Sequence, residues 1–132
     1  MIRIPKIRGK KTGDFTTSYA KGLAAETKAS RALEAKGYEV LSRRAKTLVG
    51  ELDLILKAPN ENRIVFVEVK TRADMDAAKY AITPQQQQRL LRAADTWMGG
   101  KPEYRGFGLR FDAFLVDKDG ATKHIENAFT LS

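Results

Sequence analysis

Two short stretches carry residues whose types and spacing suit phosphoryl chemistry. In GELDLI (50–55) Glu51 and Asp53 alternate with leucine, and in VFVEVKTR (65–72) Glu68 and Lys70 alternate with valine. Period-two alternation places Glu51 and Asp53 on one side of one strand, and Glu68 and Lys70 on one side of the next. The intervening PNEN (59–62) has turn chemistry. A hairpin centred on Asn60 and Glu61 sets Asp53 opposite Glu68, and Glu51 opposite Lys70. Directly opposed residues of an antiparallel pair lie roughly 4.5–5.5 Å apart on one face. Two acids and an ammonium thus converge on a patch the size of one metal ion with its ligands. A hard divalent cation, Mg²⁺ or Mn²⁺, takes such oxygen ligands together with water and phosphate. It polarises a phosphodiester and acidifies a bound water, while a neighbouring lysine orients that water or neutralises charge developing on phosphorus. The competing reading is the solvated face of a two-stranded ribbon, whose surface ion pairs contribute about 0–1 kcal/mol each.

Glu-x-Lys by itself is a weak signal, since it also occurs as Glu26–Lys28 and Glu34–Lys36. Only Glu68–Lys70 falls in a strand with an acid on the preceding one. Two polar residues on core-facing sides of helices add weight, because such intruders are costly unless they have partners. Glu26 lies on a helical wheel amid Gly22, Ala29 and Leu33, and Gln87 sits one turn before Leu91 on an apolar stripe. Each has a plainer reading: Glu26 emerges at a helix edge, and Gln87 caps a carbonyl. Other chemistries find less. There is no cysteine, hence no thiolate metal site, thiol nucleophile or disulfide. The single histidine, His124, reads as a surface residue of a late strand, and no nucleophile elbow or phosphate-binding glycine loop occurs.

The elements that must position these groups follow from periodicity and punctuation. Residues 1–17, with Arg3, Lys6, Arg8, Lys10 and Lys11, read as a flexible basic arm. A helix is predicted from about Ser18 to Lys36, with Gly37 as its C-terminal stop. YEVLSRRAK, GELDLILKA and RIVFVEVKT are three strands, Leu52, Leu54 and Leu56 sharing one side of the second. Residues 72–82 lack a period and follow the charged patch directly, as a candidate flap. Thr83 and Pro84 open a second helix that runs to Gly99 and Gly100, with Leu90, Leu91, Ala94 and Met98 as its apolar face. GLRFDAFLVD and TKHIENA are two closing strands joined by KDG. The order α-β-β-β-α-β-β predicts an α/β fold: a mixed sheet of about five strands flanked by helices, its first three strands a meander.

The length of 132 residues suits one domain, 18–132, beyond the arm. Apolar runs such as IVFV and AFLV are far shorter than a membrane span, and the first residues lack a signal peptide's apolar stretch, so a soluble cytoplasmic protein with no membrane partner is expected. The net charge of +8 resides in residues 1–50, which hold 12 Lys+Arg against 4 Asp+Glu; the remaining residues hold 12 of each. Clustered cations gain free energy by releasing the counterions of a polyanion, so a nucleic-acid partner is the favoured reading over a merely solubilising tail.

Five stretches in order, GLAAETKASRALEAKGYEVLSRR, GELDLI, VFVEVKTR, TPQQQQRLLRAA and RFD, resemble the bacterial YraN-like family. These are endonuclease-like proteins related to archaeal Holliday junction resolvases within the PD-(D/E)xK nuclease superfamily. The resemblance spans about Lys21 to Phe129. It implies a restriction-endonuclease-like core and a Mg²⁺- or Mn²⁺-dependent endonuclease acting on DNA more readily than RNA, branched or structured DNA included. By position it implies metal ligation by Asp53, Glu68 and Glu26, with Lys70 the catalytic lysine and Gln87 a polar site residue. Arg43, Arg44, Lys46 and Arg72 are the candidate nucleic-acid contacts. Two departures stand out: leucine rather than proline precedes Asp53, and Gln86–Gln87 replaces the family's Lys-Gln. Action on a four-way junction would require two sites related by a two-fold axis, hence a homodimer. The rival readings are a non-catalytic nucleic-acid-binding protein that retains the fold, and a scaffold whose basic arm docks an acidic protein.

Overall fold

A computed structural model describes residues 9–72 and 82–129, with side chains for 20–71 and 82–129. The order is α1 (Gly9–Ala35), β1 (Glu39–Thr47), β2 (Gly50–Lys57), β3 (Arg63–Arg72), α2 (Pro84–Gly99), a 3-10 turn (Pro102–Tyr104), β4 (Gly108–Asp117) and β5 (Thr122–Ile125). The strands form one sheet in sequential order β1-β2-β3-β4-β5. β1-β2-β3 is an antiparallel meander, β4 runs parallel to β3 after the α2 crossover, and β5 returns antiparallel. The fold is therefore α/β with a mixed five-stranded sheet, in the order the periodicity predicts.

The helices cover opposite faces. From α1, Ala25, Ala29 and Leu33 pack on Leu54, Leu56, Val65, Val67 and Phe114. Alanines on this face let the helix axis approach the sheet closely, and Leu33, fully buried, fills the space beyond them. Ser30 is fully buried too, its hydroxyl donating to the Thr27 carbonyl at 3.1 Å. Gly37 ends the helix at φ +97°, and Tyr38 N–H returns to the Leu33 carbonyl at 3.1 Å. On the other face α2 places Leu90, Ala93 and Ala94 against Leu52, Ile55, Ile64, Phe66 and Phe111. Its start is a capping box: Thr83 Oγ1 accepts from Gln86 N–H at 3.1 Å, and Gln86 Oε1 accepts from Thr83 N–H at 3.0 Å.

Two expectations need correction, and a third lies outside the described residues. α1 begins at Gly9, so residues 9–17 of the expected arm are helical, while residues 1–8 lie outside the described residues. Once a helix is nucleated each added residue costs little, and here a Thr/Gly-rich extension precedes a strong Ala/Leu-rich body. Second, Leu52 does not share a side with Leu54 and Leu56; it joins the α2 cluster with Ile55. Opposite the changeover, Arg44 adopts φ +51° between the Arg43↔Leu54 and Ala45↔Leu52 pairs. This local twist turns Ala45 and Leu52 together towards α2. The expected flap falls largely on residues 73–81, outside the described residues.

Candidate metal and phosphate site

Asp53 lies where β2 changes face. The β2–β3 register is the one the PNEN turn implies: Lys57↔Ile64, Leu56↔Val65, Ile55↔Phe66 and Leu54↔Val67. It ends there, one step short of Asp53 and Glu68. Beyond it Asp53 Oδ2 accepts from the backbone N–H of Val69 at 2.9 Å. A side-chain oxygen thus takes the proton a ladder carbonyl would have taken, and the carboxylate is wedged between the two strands. Lys70 Nζ stands 3.2 Å from Glu68 Oε2, with both side chains mostly buried, at 18% and 15% exposure.

The electrostatics of the acid pair are strained. The Asp53 carboxyl is pushed up from 3.8 to about 7. Burial is the largest cause, and the neighbouring Glu68 charge and a hydrogen bond shared with Glu68 push the same way. The Val69 N–H and the Lys70 charge oppose them without prevailing. Asp53 and Glu68 border a small void whose other walls are Leu52, Phe66, Val67, Leu90, Phe111, Phe129 and the buried Asp112. Two carboxylates close enough to share a proton, with water screening reduced, fit a divalent cation with oxygen ligands. The cation would replace the proton that Asp53 retains and relieve the repulsion. Asp53 and Glu68 are the residues that would hold it.

The other expected members are placed differently. Glu51 pairs with Lys46 across β1–β2, and the β2–β3 register stops before it could face Lys70, whose ion pair is with Glu68. Glu26 Oε1 accepts from Arg44 Nε at 2.8 Å, so its contact is to β1. Gln87 Nε2 donates to the Ile82 carbonyl at 3.1 Å, steadying the entry to α2. Among the described residues no three Asp, Glu or His side chains cluster for metal binding. Of the expected DNA contacts, Arg43 and Lys46 are exposed on β1, Arg44 holds Glu26, and the side chain of Arg72 is outside the described residues. Lys46 borders an open cleft with Trp97 and Lys101, the Lys101 ammonium lying 5.3 Å from the Trp97 ring centre.

A second polar cluster escaped the periodicity argument. His124 is not a surface residue: its side chain is 5% exposed, and its Nε2 lies 2.7 Å from Oδ2 of the buried Asp112. Asp112 also accepts from Arg110 Nε and Nη2 at 2.9 and 2.8 Å, and from Asn127 N–H at 2.9 Å. Arg110 Nη2 reaches the Tyr38 hydroxyl, and Lys36 Nζ lies 3.1 Å from His124 Nδ1. Burial would raise the Asp112 pKa, but the bonds from His124, Arg110 and Asn127 outweigh it and hold the carboxyl below its usual range. This cluster pins β4, β5 and the turn after β5 to the end of α1. The readable signal was Arg110-x-Asp112 within an otherwise apolar strand, which puts two opposite charges on one face.

Comparison with known proteins adds the lineage. The model of the uncharacterised protein family UPF0102 matches residues 25–116, which include β1 to β4 almost entire and both acids of the candidate site. A UPF0102 protein of Rhodopseudomonas palustris (strain HaA2) is 45% identical over 119 residues, 90% of this chain and 91% of its own length. Relatives in Bradyrhizobium diazoefficiens (44% over 115 residues; 87% and 85% of the two chains) and in Bradyrhizobium sp. strain ORS 278 (41% over 128 residues; 97% and 89%) carry the same family name. With matches of this extent, the chain belongs to the UPF0102 family.

Proposed function

We propose that this protein is a metal-dependent endonuclease that hydrolyses DNA phosphodiester bonds, in the manner of the PD-(D/E)xK nucleases its motifs resemble. The observation that carries the reading is the strained Asp53–Glu68 carboxylate pair beside the Lys70 ammonium. A bound Mg²⁺ or Mn²⁺ would supply Lewis acidity and an acidified water. The chain's own residues do the rest. Val69 N–H fixes the Asp53 carboxylate in place. Glu68 divides its charge between that centre and Lys70, so its orientation is set before substrate arrives. The Lys70 ammonium, mostly buried, can donate to a non-bridging phosphate oxygen, where charge accumulates in the transition state. The basic first third of the chain supplies attraction for the phosphate backbone.

A second reading is a non-catalytic nucleic-acid-binding protein. What favours it is that only two acids meet at the site among the described residues, Glu26 being held by Arg44. The two separate on labelled four-way junction, flap, single-stranded and duplex DNA incubated with Mn²⁺ or Mg²⁺. Cleavage by the native protein, lost in Asp53→Ala, Glu68→Ala and Lys70→Ala, is the expected result. Binding to all four substrates without cleavage, and without response to those substitutions, overturns the endonuclease reading.

A further inference from the structure

A concavity on the α1 face is separate from the acid pair. A cavity of about 470 Å³ opens between α1 and the β4–β5 turn, within the ~300–1,000 Å³ range of pockets that hold small organic ligands. Ala24, Ala25 and Val116 give it an apolar floor, and Lys21, Lys28 and Lys118 place ammonium groups around it. Among the described residues the one carboxylate on the wall, Asp117, is already engaged: its Oδ1 accepts from the N–H groups of Asp119 and Ala121, each at 2.9 Å. Lys28 is positioned by the turn itself, Nζ donating to the Gly120 carbonyl at 2.9 Å, which leaves two of its protons for a ligand. Gly120 has φ +87°, and a Cβ there would lie 3.2 Å from Lys28 Nζ, so glycine permits both the turn and the lysine's approach.

We propose that this cavity is a subsite for one nucleotide of a polynucleotide strand, with the phosphate at the lysines and the sugar and base on the apolar floor. Three cations against one satisfied carboxylate call for an anion, and the apolar floor calls for more than an inorganic one. Lys21 and Lys28, seven residues apart on one helical face, are about 10 Å apart along the axis. A linear polyanion can engage both without either lysine bending towards the other; a compact monoanion cannot. Thr71 lines the cavity one residue after Lys70 on β3. Strand alternation turns neighbouring side chains to opposite faces, so the cavity and the Glu68–Lys70 pair share one end of β3 from opposite sides. A strand crossing that end passes from one to the other. The assignment rests on the nucleic-acid reading above for its ligand class, but not on catalysis.

The test is therefore made in EDTA, with the full chain and a fluorescein-labelled single-stranded oligonucleotide of mixed sequence, by anisotropy across a salt series. Each of Lys21→Gln, Lys28→Gln and Lys118→Gln is expected to lower the log–log salt slope by about 0.7, which weakens binding some fourfold near 0.15 M salt and about fiftyfold for the triple variant. Arg105→Gln, a charge-matched change at another exposed position, is the control. Ala24→Phe fills the cavity at an exposed helix position and leaves the charge intact; it is expected to weaken binding with the slope unchanged. Thermal midpoints establish that every variant is folded. A triple variant no more affected than the control, or undiminished affinity in Ala24→Phe, overturns the assignment. So does displacement of the oligonucleotide by thymidine monophosphate at equal phosphate concentration. Metal-dependent cleavage that survives such a result fails the subsite alone; loss of binding in the lysine variants of a protein that never cleaves fails the endonuclease reading alone.

Discussion

Replacing Asp53 with asparagine is expected to stabilise the protein above neutral pH. The folded chain holds a proton on Asp53 up to about pH 7, whereas the unfolded chain releases it near 3.8. Between those values the folded state binds more protons, so stability falls as pH rises, and the loss is complete above the folded value. At about 1.4 kcal/mol for each pH unit separating the two, that loss is on the order of 4 kcal/mol. Asparagine removes the charge yet keeps an oxygen for Val69 N–H, so most of this returns: about 2–4 kcal/mol, or roughly 8–15 °C in the thermal midpoint for a chain of this size. The assay is thermal unfolding at about pH 5 and pH 8, in EDTA and in excess Mg²⁺ or Mn²⁺. In EDTA the variant should gain on the native protein at the higher pH and gain little at the lower. Divalent cation should raise the native midpoint at the higher pH, by about 2.7 kcal/mol at a hundredfold excess over its dissociation constant, and leave Asp53→Asn unmoved. A variant no more stable than native at pH 8 in EDTA would show that the acid pair is not strained. A native midpoint indifferent to both cations would refute the inference from that strain to a metal site.

Three further outcomes follow from the packing. Asp112→Ala leaves the buried Arg110 and His124 without their acceptor and should cost about 3–5 kcal/mol in urea unfolding; because the Asp112 pKa is lowered, its contribution is complete above the unfolded value near 3.8 and is lost as pH falls through the folded one, so Asp112→Asn should lose part of the native acid-unfolding limb. Leu33→Ala empties a fully buried position between α1 and the sheet and should cost about 2–5 kcal/mol by the same measurement. Thr83→Ala removes the capping-box hydroxyl of α2 and should cost about 1 kcal/mol, with faster amide exchange confined to the first turn of that helix.

Much of this architecture was legible because its signals are local. Thr83–Pro84 and Gly99–Gly100 bracket α2 by cap chemistry, and the PNEN turn fixes the β2–β3 register before any tertiary contact is considered. The features that escaped are set by contacts distant in sequence or by one unusual backbone angle. Strict alternation misplaces Leu52 because nothing in SRRAK announces that Arg44 turns to φ +51°. His124 looks like a surface residue because its partner Asp112 belongs to another strand, and Lys36 and Tyr38 come from the connection between α1 and β1. Glu26 stands out in the sequence as a polar residue on a small, apolar helix face, but its partner is Arg44, itself expected to meet DNA. Extending the register brings Asp53 and Glu68 together; the rise of the Asp53 pKa is not legible in the sequence, since it depends first on burial.

The limited extent of the β2–β3 ladder bears on the order in which the protein assembles. β3 pairs with β2 only as far as Val67, but with β4 along its whole length, Arg63↔Gly108 to Arg72↔Asp117. The half of β3 that carries Glu68 and Lys70 therefore pairs with no strand until β4 arrives. That arrival requires closing a crossover through α2, a long-range step whose entropic cost precedes its reward. During synthesis the meander can form as soon as β3 has emerged, while Glu68 and Lys70 remain on an unsupported strand end until more than thirty further residues, Ala73 to Phe107, have followed. The charged patch is thus among the last parts of the sheet to be held in place, and a nascent or C-terminally shortened chain would keep the hairpin without it.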